Sequence, residues 1–246
     1  MKDINLALIS GVPIPIEECH ILLRQPTIKD ISYNYLDEAE FFMGAQYLTI
    51  DKQAIARAQG KVVIDNSTNF DIFMTIMKDK EATEIKTQVK KFLKFLFPDY
   101  DVLITPMSLV FRQEDKTFTI DKDNFTPLQE IIKKVFCLKE RDDQPVYNPA
   151  NKKAEEIANK IKKGREKIAK LKGEDGSNIF SQYLSSLSIG LHLPIHVFLD
   201  YTVYQLFDAV ERMSLYTNWD IDIRSRLAGA QNEDKPENWM RDIHKD

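Results

Sequence analysis

The side chains best suited to chemistry in this sequence are four histidines and two cysteines. His192 and His196 are four residues apart, a spacing that on one helix lets two imidazoles share a metal ion. Pro194 lies between them and no acidic residue of a metalloprotease-type motif accompanies them, so we interpret them as histidines at a helix boundary. Cys19 and His20 are adjacent, but adjacency alone does not make a nucleophile and its base. We therefore predict neither a metal site nor a nucleophilic site.

The sequence also lacks the patterns that hold phosphates or that separate the pKa values of two carboxyl groups. Glycine accounts for only 8 of 246 residues, and neither G-x-G-x-x-G nor G-x-x-x-x-G-K occurs. The acidic pairs Asp142-Asp143 and Asp220/Asp222 have no apolar surroundings, which favours solvated or capping carboxylates. We predict that the protein is not an enzyme and uses no cofactor.

Composition indicates a soluble globular protein that does not enter a membrane. Apolar residues make up 43% and charged residues 29% of the chain, and no apolar run reaches about 18 residues. The first ten residues are too short and too acidic a segment for a signal peptide. Two cysteines form no disulfide framework, so we expect free thiols in a reducing cytoplasm.

The net charge of −4 argues against a general nucleic-acid binder, although one segment is basic. Residues 152–172 contain nine Lys or Arg against three Glu. Apolar or small residues step three and four positions along this segment, as in a coiled coil: Ala154, Ile157, Ile161, Gly164, Ile168 and Leu171. No aromatic residue is interleaved with the lysines, so helix packing explains the pattern better than nucleic-acid binding, which stays open as an alternative.

The predicted fold class is α+β and mostly helical, with three regions. Residues 1–140 form an α+β domain with a small sheet or hairpin, residues 141–178 a polar linker and the basic heptad-like helix, and residues 179–246 a C-terminal helical bundle. The elements predicted in the first region are an extended segment at 11–24, a turn capped by Thr27, a helix within 36–48, helices at 69–77 and 85–96, β-runs at 102–105, 108–111 and 117–120, and a helix from Pro127 capped by Thr126.

The C-terminal bundle is predicted to contain a buried helix at 179–191 and then three short amphipathic helices. Thr202 and Gln205 form a capping-box pattern at the start of the first of these. The second begins near Asn218 and ends at Gly229, and the third begins at Pro236. Apolar residues at helical spacing lie along the three: Val203, Leu206, Phe207, Val210, Met213, Trp219, Ile223, Leu227, Trp239, Met240 and Ile243.

Three strings in this region resemble the C-terminal part of the tail assembly chaperones of long-tailed bacteriophages that infect Gram-positive hosts. They are YTVYQLFDAVER at 201–212, NWDIDIRSRLAGA at 218–230 and ENWMRDIH at 237–244. Upstream, residues 34–51 and 148–161 are similar to longer phage proteins that share this tail. The resemblance covers about a third of the chain, and its motifs are helix-packing patterns without a catalytic fingerprint.

The resemblance implies a small, mostly helical, non-enzymatic protein of the host cytoplasm. Proteins of that family bind the coiled-coil-rich tape measure protein, keep it soluble and help to recruit tail tube subunits. An apolar groove between short helices would suit such a partner, and the residues that could line it are Val203, Leu206, Phe207, Val210, Trp219, Ile223 and Trp239. The same residues could instead form the core of the bundle. An oligomer is possible, and two alternatives stay open: a structural virion protein of the tail or neck, and a nucleic-acid-associated phage factor.

Overall fold

The computed structural model describes residues 3–53, 55, 67–138, 178–229, 238–241 and 243. It confirms the predicted fold class, because small antiparallel sheets lie in the N-terminal part and helices dominate the rest. The linker and the basic heptad-like segment predicted at 141–178 lie almost wholly outside the described residues, as do Pro236, Met1 and His244. The three-region division of the chain therefore stays a prediction.

The N-terminal part, up to residue 138, contains six helices that are described together with two small sheets. Their bounds are α1 (Asn5–Ser10), β1 (Ile14–Ile16), a 3₁₀ turn (Glu17–Cys19), β2 (Ile21–Leu23), α2 (Ile28–Asn34), α3 (Glu38–Leu48), α4 (Asn69–Lys78), α5 (Thr83–Leu96), β3 (Asp101–Ile104), β4 (Leu109–Gln113), β5 (Lys116–Ile120) and α6 (Phe125–Val135). The C-terminal part contains α7 (Ile179–Leu191), a 3₁₀ helix (Ile195–Asp200) and α8 (Val203–Leu227).

Both sheets are antiparallel. The three-stranded sheet follows the predicted β-runs, whereas the single extended segment predicted at 11–24 is divided into two paired strands by the 3₁₀ turn at Glu17–Cys19. Strands β1 and β2 pair with Ile14 opposite Leu23, and β3, β4 and β5 form a meander. The predicted hairpin is confirmed: Gln113 pairs with Lys116 across a two-residue turn in which Glu114 adopts φ 51°. Burial alternates along β4, whose Phe111 is fully buried, as expected when one face of a sheet covers a core.

Reciprocal side-chain caps fix the starts of three of the described helices. In α2, α4 and α8 the N-cap threonine accepts a backbone N–H three residues on, and that residue's side chain accepts the threonine N–H. The predicted caps at Thr27 and Thr202 are confirmed. The predicted start of α6 at Pro127 is wrong, because the helix begins at Phe125, whose buried ring packs against α4.

The core of the N-terminal part is rich in phenylalanine and centres on Phe41 of α3. The Phe41 ring lies 5.5 Å from that of Phe92 on α5 and 5.3 Å from that of Phe136, all three fully buried. Gly44 permits this close approach, since a Cβ atom at that position would lie 2.7 Å from Phe92 Cβ. The backbone of α3 at Gly44 is thus almost in contact with the Phe92 side chain of α5.

The C-terminal part shares this core. Phe180 of α7 lies 6.0 Å from Phe41, and the Glu38 carboxylate accepts the Phe180 and Ser181 N–H groups at 2.9 and 3.2 Å, capping α7 from another helix. Leu206 of α8 is fully buried in the same cluster. The two parts are therefore joined by packing as well as by chain connectivity.

A second junction joins the starts of α2 and α8. Thr27 and Thr202, the N-caps of the two helices, form an isolated antiparallel bridge, and the Ile28 N–H donates to Tyr201 O at 2.8 Å. The Gln205 amide donates to Ile9 O at 2.7 Å while it also accepts the Thr202 N–H. Two capping boxes far apart in sequence thus stabilise one another.

The prediction of separate helices at 203–213 and from 218 is wrong. A single helix, α8, continues from Val203 to Leu227 and stops before Gly229, which adopts φ 97°. No Gly or Pro lies between Met213 and Asn218, and two Asp–Arg pairs four residues apart support the second half of the helix. Nothing in this stretch therefore interrupts the helical hydrogen bonds.

Candidate partner-binding surface

A run of exposed apolar side chains lies where α7 ends. No Asp, Glu, Lys or Arg occurs between residues 179 and 199, and residues 189–197 are all exposed. Within them Ile189 is 76% exposed, and four further side chains are 36–46% exposed. We call the five side chains the apolar strip: Ile189, Leu191, Leu193, Ile195 and Val197. Exposed aliphatic side chains clustered in this way mark an interaction site more often than scattered ones do.

Local geometry holds the apolar strip outward. Helix α7 ends at His192, which adopts a left-handed φ of 55°, and Ser188 donates its hydroxyl to Leu193 O at 2.7 Å. Pro194 then begins the 3₁₀ helix, whose Phe198 is fully buried and anchors the turn. Because Phe198 fills the space beneath, the side chains before it point away from the core.

Helices α7 and α8 run in the same direction, and α8 is longer. Tyr183 of α7 lies 5.0 Å from Phe207, and a Cβ atom on Gly190 would overlap Met213 Sδ. Met213 is also the last residue of α8 that packs against the core among the described residues. Residues 214–227 therefore extend about 20 Å past the end of α7. We call them the overhang.

An aromatic cluster lies on the overhang. The ring of Tyr216 is 6.0 Å from that of Trp219 and 5.3 Å from that of Trp239. Arg212 holds the segment that carries Trp239 in place, since its guanidinium donates to the carbonyl oxygens of Trp239 and Arg241 at 3.4 and 2.7 Å. Tyr216 is still 49% exposed, so the cluster is open to a partner.

The charges of the overhang are balanced within the helix. Arg224 contacts Asp220 at 2.8 Å and Arg226 contacts Asp222 at 3.0 Å, each pair one turn apart. Such exposed pairs stabilise a helix by only about 0.3–0.5 kcal/mol each. Their main consequence is that this surface, like the apolar strip, presents little net charge to a partner.

The structure places the predicted groove residues in two settings. Val203 and Leu206 are 1% and 0% exposed, so in this conformation they belong to the core and offer no surface to a partner. Phe207 and Val210 are half-buried and pack against the same core. The proximal half of α8 thus joins the C-terminal part to the rest of the protein.

Trp219, Ile223 and Trp239 lie elsewhere, on the overhang or against it. All three are half-buried, and the two tryptophans share Tyr216 as a neighbour. Of the seven predicted residues, these three are the ones that neither belong to the core nor pack against it.

Sequence reasoning missed the apolar strip because it predicted that the helix at 179–191 would be buried. That helix has the predicted bounds, but only Phe180 and Leu187 are buried in it. The absence of charge across 179–199 was the available signal. Such a stretch is compatible with a core helix and with an exposed interface, so the sequence alone does not separate the two.

The residues first considered for chemistry do not converge. No group of three or more His, Cys, Asp or Glu side chains that could hold a metal occurs among the described residues. His192 caps α7 and His196 lies in the 3₁₀ helix, both exposed. Burial, with a smaller contribution from Glu18, raises the pKa of the Cys19 thiol to about 12, which makes it a poor nucleophile at neutral pH. Both cysteines are free, as predicted.

The helices in the described ranges include none that is long and apolar enough to cross a membrane. In comparisons with known proteins, neither a curated protein nor a solved structure matches the chain. Residues 172–244 match a family model described as the YomV second domain, a match that covers less than a third of the chain. The matched residues contain α7, the apolar strip, α8 and Trp239, and the match indicates similarity to a phage-related protein family.

Proposed function

We propose that the protein is a non-enzymatic tail assembly chaperone of a long-tailed phage, which binds the tape measure protein in the host cytoplasm and assists assembly of the tail tube. The observation that carries the proposal is the apolar strip, an exposed and uncharged surface within the stretch that matches the phage-related family model. The resemblance of residues 201–212, 218–230 and 237–244 to such chaperones supports the same function.

The apolar strip suits a partner that would otherwise aggregate. A protein rich in coiled-coil segments exposes long apolar stripes before it assembles, and these self-associate unless another apolar surface covers them. Burying one half-exposed aliphatic side chain contributes about 1 kcal/mol, so the five side chains of the strip supply roughly 5 kcal/mol before ordering costs. That is too little for stable binding, and we therefore include in the binding surface the side of the overhang that carries Trp219 and Ile223.

Co-expression with the tape measure protein of the same phage tests the proposal. We expect the tape measure protein to be soluble, and to co-purify, only when this chain is present. The double substitution Leu191→Ser and Ile195→Ser should abolish both effects because it removes apolar area from the centre of the strip. Leu36→Ser with Met107→Ser is a matched control, since these side chains are 104% and 81% exposed and belong to neither the apolar strip nor the overhang.

Two results would contradict the proposal. If the tape measure protein stays insoluble and the chain elutes alone, the protein is not its chaperone. If the strip substitutions and the control substitutions have equal effects, the apolar strip is not the binding surface.

A structural virion protein is the alternative that the same surface favours, because subunit contacts in a tail or neck ring also bury exposed apolar side chains. Such a protein would form stable rings and would be present in purified particles, whereas a chaperone would be missing from them. Nucleic-acid binding has less support from the described residues, because two arginines of the overhang are already paired with aspartates.

A further inference from the structure

The overhang carries a row of side chains whose spacing matches a helix-packing seam. Tyr216, Trp219, Ile223 and Leu227 follow one another at steps of three, four and four residues. At 3.6 residues per turn these four fall within a narrow stripe along about 16 Å of helix. We call them the seam. Tyr216 and Leu227 are 49% and 84% exposed, so both ends of the seam are accessible.

Ion pairs border the seam on both sides. On an α-helix Asp220 and Arg224 lie on one side of the line through Trp219 and Ile223, and the pair Asp222 and Arg226 lies on the other. The arrangement is that of one strand of a coiled coil, with an apolar stripe between two rows that carry both signs of charge. A β-strand or a nucleic acid would match neither the spacing nor the balanced charge.

The chemistry of the seam limits what can lie on it. An unpaired charge facing Trp219 or Ile223 would lose water and gain no partner, because the nearby aspartates and arginines are already paired with each other. An apolar stripe on a second helix would gain contacts along the whole seam, and the aromatic pair Tyr216 and Trp219 would supply the largest buried area. Acidic and basic side chains at the edges of that helix would face the aspartates and arginines that border the seam.

We infer that the seam binds one amphipathic α-helix of the partner, whose contact stripe is uncharged along at least two turns and is bordered by mixed charges. The inference rests on the proposed function in taking that helix from the tape measure protein. It adds the class of segment that is recognised and the residues that recognise it. Gly190, which lies between two residues of the apolar strip in sequence, packs against Met213, three residues before the first residue of the seam.

A designed peptide tests the inference without the tape measure protein. The probe is a four-heptad coiled-coil peptide with Leu at the a and d positions, Glu and Lys at e and g, and no Trp or Tyr. The chain contains two tryptophans, Trp219 and Trp239, both at the overhang, so intrinsic fluorescence reports on this surface alone. We expect saturable binding with a blue shift, and binding at least about 10-fold weaker when one central a-position Leu is replaced by Lys.

Two isoleucines on the same helix form a matched pair of variants. Ile223→Ser should weaken peptide binding by about 10-fold, since it removes the centre of the seam. Ile221→Ser should leave binding unchanged, because Ile221 is 56% exposed on the opposite side of the helix. Circular dichroism of both variants establishes that α8 is still formed.

The outcomes separate this inference from the proposed function. Equal effects of Ile221→Ser and Ile223→Ser, or equal binding of the two peptides, would overturn the inference even if the tape measure protein is solubilised. Peptide binding that depends on Ile223 would support the inference even if the tape measure protein stays insoluble. In that case the proposed function would be rejected and the inference about the seam would stand. A dimer that Ile223→Ser converts to a monomer, with no peptide binding, would overturn the inference in favour of a second copy on the seam.

Discussion

Replacing Gly44 by Ala should destabilise the protein, although alanine is the better helix former. The added Cβ atom would lie 2.7 Å from Cβ and Cγ of Phe92 and 2.9 Å from its Cδ2. Carbon atoms in contact are normally separated by about 3.5–4.0 Å, so α3 and α5 would have to move apart by about 1 Å. Phe92 cannot rotate away, because its ring is fully buried against Phe41 and Phe136.

The expected magnitude is the difference between two opposing effects. Gly→Ala in the interior of a helix lowers the free energy of the folded state by about 1 kcal/mol. Overpacking of a filled core costs about 1–3 kcal/mol, and we expect the upper end because the obstacle is the base of a side chain. The net loss is roughly 2 kcal/mol in the free energy of unfolding. At about 2–4 °C per kcal/mol for a chain of this size, the Tm should fall by roughly 4–8 °C.

Urea unfolding and thermal melts followed by circular dichroism would measure the loss. Gly190→Ala is a matched control, because its Cβ atom would meet Met213 Sδ near the end of a flexible side chain, and its effect should be smaller. Phe92→Ala, which removes Cγ and Cδ2 and leaves only Cβ of the clash, should partly rescue Gly44→Ala, so that the double variant is more stable than the sum of the single changes implies. A Gly44→Ala protein as stable as the wild type would refute this account of the packing between α3 and α5.

Three further predictions concern individual groups. Cys19 should resist a thiol reagent at pH 8 in the folded protein and react only after unfolding, whereas the partly exposed Cys137 should react first, as peptide mass spectrometry would reveal. Glu38→Ala should lower the free energy of unfolding by about 1 kcal/mol, because two N–H groups at the start of α7 lose their acceptor; equal urea midpoints for the variant and the wild type would contradict this. Hydrogen bonds from the backbone N–H and hydroxyl of Thr68 hold the pKa of Asp71 below its usual value, so the carboxylate stabilises the fold above about pH 4 and this contribution is lost as the pH falls through the folded-state pKa. The difference in the free energy of unfolding between the wild type and Asp71→Asn should therefore shrink on acidification. A difference that stays constant down to pH 2.5 would contradict this role of the Asp71 carboxylate.

Local patterns predicted much of the fold. The cap at Thr27, the capping box at Thr202, the helix pair in 69–96 and the hairpin at 109–120 all depend on residues within a few positions of one another, and each is present. Short-range rules were sufficient there because hydrogen bonds and side-chain spacing act within a single turn of helix or a single hairpin.

The errors arose where distant packing decides the outcome. Two helices were predicted where a single helix spans 203–227. The apolar residues up to Met213 pack against the core, and those after it lie on the overhang, so the apolar pattern differs between the two halves although the helix is continuous. The cap of α7 was unpredictable from its own sequence, since the acceptor is Glu38, far away in the chain. Exposure at 189–197 depends in the same way on Phe198 anchoring the turn.

The candidate site was predictable only in part, for a physical reason. A helix that packs against its own protein and a helix that packs against a partner use the same spacing of apolar residues. Val203 and Leu206 have that spacing and are in the core, whereas Trp219 and Ile223 have the same spacing and lie on the overhang. The two groups differ in what packs against them: α1, α6 and α7 contact α8, but no residue of α8 after Met213 packs against the core among the described residues.

The contacts between α3 and α7 also affect how the chain folds while the ribosome is still making it. The N-terminal part is complete by residue 138, yet the core that it shares with the C-terminal part is closed only when Phe180 and Leu206 have been added. At roughly 5–20 residues per second, the intervening stretch of about 70 residues takes between about 4 and 14 seconds to synthesise. During that interval the nascent chain exposes an apolar face of its own, and we expect cellular chaperones to bind that face until synthesis is finished.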